Sequence, residues 1–174
     1  MSNNKDLIKA LKDCGAIQIG EFILSSGKKS NYYVDIKKAS TRPDTLKLIG
    51  KKAAEIIKSI DVDNVGGVEL GGVPIATAVS LESGLPMIII RKSSKEYGTG
   101  GRLVGQLEKG ERVILLEDVT TSGGSVKEAV SNIQNEGGYI DTVITVVDRE
   151  EGAEENLKSA GIKLITLIKA SDLV

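Results

Sequence analysis

Val113-Ile114-Leu115-Leu116-Glu117-Asp118-Val119-Thr120-Thr121-Ser122-Gly123-Gly124-Ser125 joins an apolar run to two acids, a turn of hydroxyls and glycines, and the start of a helically spaced segment. The run Val113–Leu116 has no polar alternation, which suits a strand buried on both faces rather than one with a wet side. Downstream, Val126, Ala129, Val130 and Ile133 recur as on one helix face, and Gly137-Gly138 ends the pattern. The unit is strand, turn, helix.

Working outward, the same unit recurs. Apolar runs rich in β-branched residues stand at Val65–Val68, Met87–Ile90, Val143–Val147 and Leu164–Ile168, and Leu46, Ile49, Ala53, Ile56 and Ile57 form a second helical stripe. This alternation predicts an α/β fold, with a mostly parallel central sheet flanked by helices and right-handed crossovers. Residues 1–40 read differently. A short amphipathic helix around Lys5–Lys12 precedes a hairpin over Phe22–Asp35, with its turn near Ser25–Gly27, and together they are expected to form a small N-terminal hood or flap. Arg91–Gly105 is too long and Gly-rich for a plain connection, and such loops are usually lids or binding loops. With 174 residues and no linker or repeat, the expectation is a single domain over 1–174, to which 1–40 contributes the hood.

Composition removes whole classes of chemistry. The chain has no histidine, which excludes a Ser-His-Asp triad, a Cys-His dyad and the usual zinc centres. Proton transfer falls to Asp, Glu, Lys or Tyr. The lone Cys14 excludes an internal disulfide and a cysteine metal cluster. A net charge of −1 leaves no footprint for nucleic acid, so none is expected as a partner. No segment has transmembrane length, and Met1–Asp6 lacks the order of a signal peptide, so no membrane is expected and the cytoplasm is.

The opening segment carries the chemistry. Hydroxyls and glycines at a strand-to-helix turn let backbone N–H groups converge on a phosphate, and the helix N-terminus adds partial positive charge. Glu117 and Asp118 stand where they accept hydrogen bonds from ribose hydroxyls and tolerate a nearby Mg²⁺. Thr120 through Ser125 taken alone suit a bare turn and helix cap equally well. Other nucleotide motifs fail: nothing matches G-x-x-x-x-G-K-[ST], and the nearest G-x-G-x-x-G, from Gly98, ends on Leu103.

Leu115 through Ser125 closely resembles the phosphoribosyl pyrophosphate (PRPP) signature of the type I phosphoribosyltransferases. Further stretches resemble the orotate phosphoribosyltransferase family. Phe22 through Asp35 is similar to its N-terminal pattern of an aromatic, a Ser-Gly turn and the pair Tyr32-Tyr33. Arg91-Lys92 through Lys95-Glu96-Tyr97-Gly98 resembles its mobile catalytic loop, and Val147-Asp148-Arg149-Glu150-Glu151-Gly152 its Asp-Arg strand. Val68-Glu69-Leu70-Gly71-Gly72-Val73-Pro74 is similar to its pyrophosphate loop.

The resemblance implies transfer of the 5-phosphoribosyl group from PRPP to orotate, giving orotidine 5′-monophosphate and pyrophosphate in pyrimidine synthesis. It implies Mg²⁺ as cofactor, carried by the PRPP pyrophosphate with no direct protein ligand. The implied PRPP contacts are Arg91, Lys92, Lys95, Tyr97, Glu69, Leu70, Gly71, Glu117, Asp118, Val119, Thr120, Thr121, Ser122, Gly123, Gly124 and Ser125. Of these, Lys95, Lys92 and Asp118 are the implied catalytic groups. Orotate falls to Thr121, Arg149, Tyr32 and Tyr33, with Arg149 on its carboxylate, a pairing that suits a guanidinium fork. A homodimer is implied too, with the mobile loop 91–105 shared across the interface. The chain departs from the family pattern at Tyr97, where bacterial members commonly have His, and it lacks the lysines many members carry near Gly71 and at Ser25. Two other readings stay open: a PRPP enzyme for a different base, separated by Arg149, and a nucleotide-sensing regulator, which a nucleic-acid surface would accompany.

Overall fold

Apolar runs without polar alternation need cover on both faces, and the computed structural model, which describes residues 4–23, 27, 29–93 and 101–173, provides it in one sheet. In chain order the elements are α1 (Lys5–Asp13), β1 (Ile17–Ile23), β2 (Lys29–Val34), α2 (Ile36–Ser40), α3 (Pro43–Ile57), β3 (Asn64–Val68), α4 (Gly72–Ser83), β4 (Met87–Ile90), β5 (Leu103–Val104), β6 (Arg112–Thr120), α5 (Gly124–Asn135), β7 (Tyr139–Asp148), α6 (Ala153–Lys158) and β8 (Lys163–Lys169), with a closing 3₁₀ turn over Ala170–Asp172. The main sheet has the order β5-β4-β3-β6-β7-β8. All neighbours in it are parallel except β5, which runs antiparallel to β4 at the edge.

Strand β6 shows how the sheet is covered. Ile114 and Leu116 pack into a core with Ile49 and Ala53 of α3 and Ile75 and Val79 of α4. Val113 and Leu115, pointing the other way as successive strand residues must, pack with Val126, Val130 and Ile133 of α5. One strand therefore feeds two cores.

The strand order also fixes where a ligand fits. From β3 the chain crosses to β4 on one side, while from β6 it proceeds to β7 and β8 on the other. The connections leave the ends of β3 and β6 in opposite directions, and the crevice between them is the switch point at which open α/β sheets bind ligands. The register places Gly67 of β3 beside Leu116 of β6, so Val68–Gly71 and Glu117–Thr120 line that crevice.

The sequence expectations meet this architecture with small differences. β6 continues through the two acids to Thr120, so both lie within the strand rather than after it. β1 starts at Ile17, five residues ahead of the expected hairpin, because an irregularity between Ile19 and Phe22 breaks the alternation that would reveal it. β5 is only two residues long and gives no periodic signal. Of the expected hairpin turn, residues 24–26 and 28 lie outside the described residues. Among the described residues no helix is long and apolar enough to cross a membrane.

Candidate active site

Two turns flank the switch point. The first leaves β3 at Glu69 and enters α4 at Gly72, and the Glu69–Leu70 peptide bond is cis. The Glu69 N–H donates to the Ile90 carbonyl, and its Oε1 accepts from the Lys92 N–H at 2.6 Å. Glu69 thereby ties this turn to the stem of the 91–105 loop. The stem is closed by the Arg91 N–H donating to the Arg102 carbonyl at 2.8 Å. Arg91 and Lys92 also share a cleft with Ser125 of α5, so the stem reaches the second turn. Lys95 and Tyr97 lie outside the described residues.

Gly71 meets the acid pair directly. Its backbone is ordinary right-handed helix, so the need for glycine is one of space: a Cβ there would stand 1.9 Å from Oδ2 of Asp118. Glu117 and Asp118 are both buried, at 6% and 8% exposure. Oδ1 of Asp118 accepts from the Val119 N–H at 2.9 Å, and Oδ2 lies 3.2 Å from the ammonium of Lys37 on α2. Burial, reinforced by the hydrogen bond and negative charge of Asp118, pushes the Glu117 carboxyl up to about 9, against the downward pull of the Asp118 N–H and the Lys92 ammonium. The acid pair therefore holds a proton more tightly than free carboxylates do.

The second turn runs from Thr121 to Gly123 and opens α5 at Gly124. Gly123 takes φ +82°, a left-handed conformation that glycine adopts without strain, and Leu157 packs 3.2 Å from where its Cβ would be. Asn156 of α6 braces the turn by donating to the Ser122 carbonyl at 3.0 Å. The first N–H groups of α5 have no intrahelical acceptor, so Gly124, Ser125 and their neighbours present donors to the crevice.

Arg149 stands beside the end of β6, just beyond β7. Its N–H donates to the Thr120 carbonyl at 2.9 Å, and Asp148 accepts from the Thr120 hydroxyl at 3.3 Å and from the Glu150 N–H at 3.0 Å. The guanidinium carbon of Arg149 sits 5.5 Å from the centre of the Tyr32 ring, so hairpin and β7 meet through these two side chains. Nε of Arg149 lies 3.0 Å from Glu151 Oε1 but out of line for a hydrogen bond, which leaves it buried without a hydrogen-bond partner. Tyr33 points to the opposite face of β2, where its ring lies 5.6 Å from that of Phe22. The fold thus gathers Glu69–Gly71, Lys92, the acid pair, the 121–125 turn, Arg149 and Tyr32, and sets Tyr33 outward.

Sequence reading missed Lys37, Asp148 and Asn156. Lys37 belongs to a Lys-Lys pair that reads as a solvated face. Asp148 was legible only as part of the Asp-Arg strand, and Asn156 carried no signal at all.

Comparison with known proteins agrees with this geometry. The phosphoribosyl transferase domain model matches residues 37–170. The orotate phosphoribosyltransferase of Methanosarcina mazei is 60% identical over 170 residues, covering 98% of this chain and 91% of that one. Among solved structures, the orotate phosphoribosyltransferase of Aeropyrum pernix superposes with a TM-score of 0.86 at 30% identity, covering 96% of this chain and 95% of that chain. That of Mycobacterium tuberculosis H37Rv in complex with PRPP gives 0.76 at 29% identity, covering 97% and 92%.

Proposed function

This chain belongs to the orotate phosphoribosyltransferase family, and from that premise we propose that it transfers the 5-phosphoribosyl group of PRPP to orotate, releasing pyrophosphate and orotidine 5′-monophosphate in pyrimidine synthesis. The observation that carries this reading is that the acids of β6 and the turn after them stand beside Arg149, whose backbone N–H donates to the Thr120 carbonyl and whose guanidinium lies over Tyr32.

On this reading Glu117 and Asp118 hold the ribose hydroxyls and Val119 through Ser125 surround the 5-phosphate. Glu69, Leu70 and Gly71 border the pyrophosphate. Arg149 pairs with the orotate carboxylate, aided by Thr121 and Tyr32. A guanidinium fork suits a carboxylate, and the carboxylate of orotate would compete with Glu151, 3.0 Å from Nε, for Arg149. Tyr33 would act at one remove, through the hairpin that carries Tyr32.

In the reaction the bond from the ribose anomeric carbon to the pyrophosphate oxygen breaks and a bond to a ring nitrogen of orotate forms, the proton of that nitrogen leaving with the pyrophosphate. Negative charge builds on the leaving group while the ribose becomes cationic. Lys92, Lys95 and Arg91 stabilise that departing charge, and closure of loop 91–105 excludes water. Mg²⁺ carried on the pyrophosphate would neutralise part of its charge, with no direct protein ligand. Hard cations favour phosphate oxygens, so the metal would arrive on the pyrophosphate of the substrate.

The same reading makes the enzyme a cytoplasmic homodimer in which each loop 91–105 serves its neighbour's site. It also makes residues 1–174 one functional domain hooded by 1–40.

The test is direct. Protein mixed with PRPP, orotate and Mg²⁺ consumes orotate absorbance, and Arg149→Ala raises the orotate KM at least about tenfold while PRPP affinity holds. No absorbance change, with an active control enzyme alongside, rejects the reading. Consumption of another base in place of orotate moves the chain to the different-base alternative.

A further inference from the structure

The acid pair has a partner that no motif picks out. Lys37 stands 81 residues before Asp118 in the chain, and its Nζ lies 3.2 Å from Asp118 Oδ2. Its placement is held from several sides. Ile36 and Ala39 of the same short helix are fully buried and pin it to the core, and the Asp35 side chain caps the helix by accepting from the Lys38 N–H. The missing side chain of Gly71 leaves the space that the Asp118 carboxylate fills. Each carboxylate oxygen therefore has one fixed donor: Val119 N–H on Oδ1 and Lys37 on Oδ2.

This is unlike an ordinary surface ion pair, in which both partners are wet and the net contribution is small. The Asp118 side chain is only 12% exposed, whereas Lys37 is 57% exposed. The acid is held in a poorly solvated wall with the lysine reaching in from the rim, so loss of the lysine leaves a buried carboxylate uncompensated. Burial works against the charge on Lys37, but the Asp118 carboxylate, with help from Asp35 and Tyr33, outweighs it and holds the ammonium above the usual lysine range. The positive charge of Lys92 on the loop stem also acts on Glu117, opposing the rise of its carboxyl.

We propose that Lys37 is a positioning residue of the PRPP site, fixing the Asp118 carboxylate in the orientation that holds the ribose hydroxyls. The inference rests on the reading of Asp118 as a ribose contact. Without Lys37 the carboxylate is free to turn toward Lys92 or solvent, and the ribose loses a preformed acceptor.

Titration calorimetry with PRPP and Mg²⁺ tests this on wild type, Lys37→Ala, Lys37→Arg, Asp118→Asn and the Lys37→Ala/Asp118→Asn double variant, with steady-state KM values and thermal melts alongside. Lys37→Ala is expected to weaken PRPP binding about tenfold with the orotate KM near wild type, and to lower the melting temperature because the buried Asp118 carboxylate loses its partner. Lys37→Arg recovers PRPP affinity to within about threefold, since a guanidinium also pairs with the carboxylate. In the Asp118→Asn background the Lys37→Ala change has little further effect, because its target is gone. Unchanged PRPP affinity in Lys37→Ala, no recovery in Lys37→Arg, or full additivity with Asp118→Asn overturns the inference. A wild-type protein that binds PRPP yet ignores orotate overturns only the choice of base. One in which Asp118→Asn leaves PRPP affinity intact overturns the ribose reading beneath both.

Discussion

Glu117 and Asp118 are neighbours in one strand, yet their surroundings divide their chemistry. Glu117 is pushed up to about 9 by burial and by Asp118, which favours its protonated form, whereas Asp118 sits between the Val119 N–H and the Lys37 ammonium. A glutamine is close in shape to a protonated glutamate, so Glu117→Gln should keep the PRPP KM within about threefold of wild type, while Asp118→Asn raises it more than about tenfold. The same asymmetry has a stability consequence. The folded-state value lies above the ordinary 4.5, so between pH 4.5 and about 9 the folded protein binds the proton more tightly than the unfolded chain. Stability from this group is therefore complete below the lower value and is lost as pH rises through the window. Glu117→Gln removes that loss. Its melting temperature should exceed wild type by at least ~2 °C at pH 8.5 and converge on it near pH 5. Equal melting curves at both pH values would show that Glu117 does not carry the penalty.

At the scale of elements, what mattered most for function was spelled in local pattern. The five buried parallel strands announced themselves by uninterrupted apolar runs, and α3 and α5 by their stripes. Local pattern failed where structure came from pairing instead: β5 exists because it lies against β4, and β1 begins before its alternation becomes regular. It failed again for Lys37, since nothing in a Lys-Lys pair tells that one ammonium meets a carboxylate 81 residues away. The turn after β3 is a different case. The sequence marks Gly71-Gly72 as a turn or a pyrophosphate loop, but only packing shows that Asp118 occupies the absent side chain's place. Gly71→Ala isolates that packing, because its backbone conformation suits alanine. We expect the PRPP KM to rise about tenfold with the orotate KM little changed, through displacement of the Asp118 carboxylate. An unaltered PRPP KM would mean that the acid swings aside without cost and that its rotamer is unimportant.

For the whole molecule, the candidate site draws its residues from far along the chain: Tyr32 from the hairpin, Lys92 from the loop stem, the acids from β6 and Arg149 from beyond β7. Strand order makes this possible, and strand order is not written in any one segment: β3 leads to β4 on one side of the sheet centre and β6 to β7 and β8 on the other. Lys95 is the part whose source, own chain or neighbour, separates a self-contained site from a shared one. Mixing two inactive proteins decides between them. Lys95→Ala keeps a sound cradle with a damaged loop, and Asp118→Asn keeps a sound loop with a damaged cradle. If loops cross a two-fold interface, each mixed dimer contains one site made wholly of intact parts and one carrying both defects. Random reassortment makes half the dimers mixed, so the mixture should recover about a quarter of wild-type activity. If each loop serves its own subunit, every site in the mixture keeps one defect and no activity returns. Light scattering on the same samples fixes the oligomer present, so a null result from failed subunit exchange is separated by first mixing differently tagged wild-type chains and recovering both tags together.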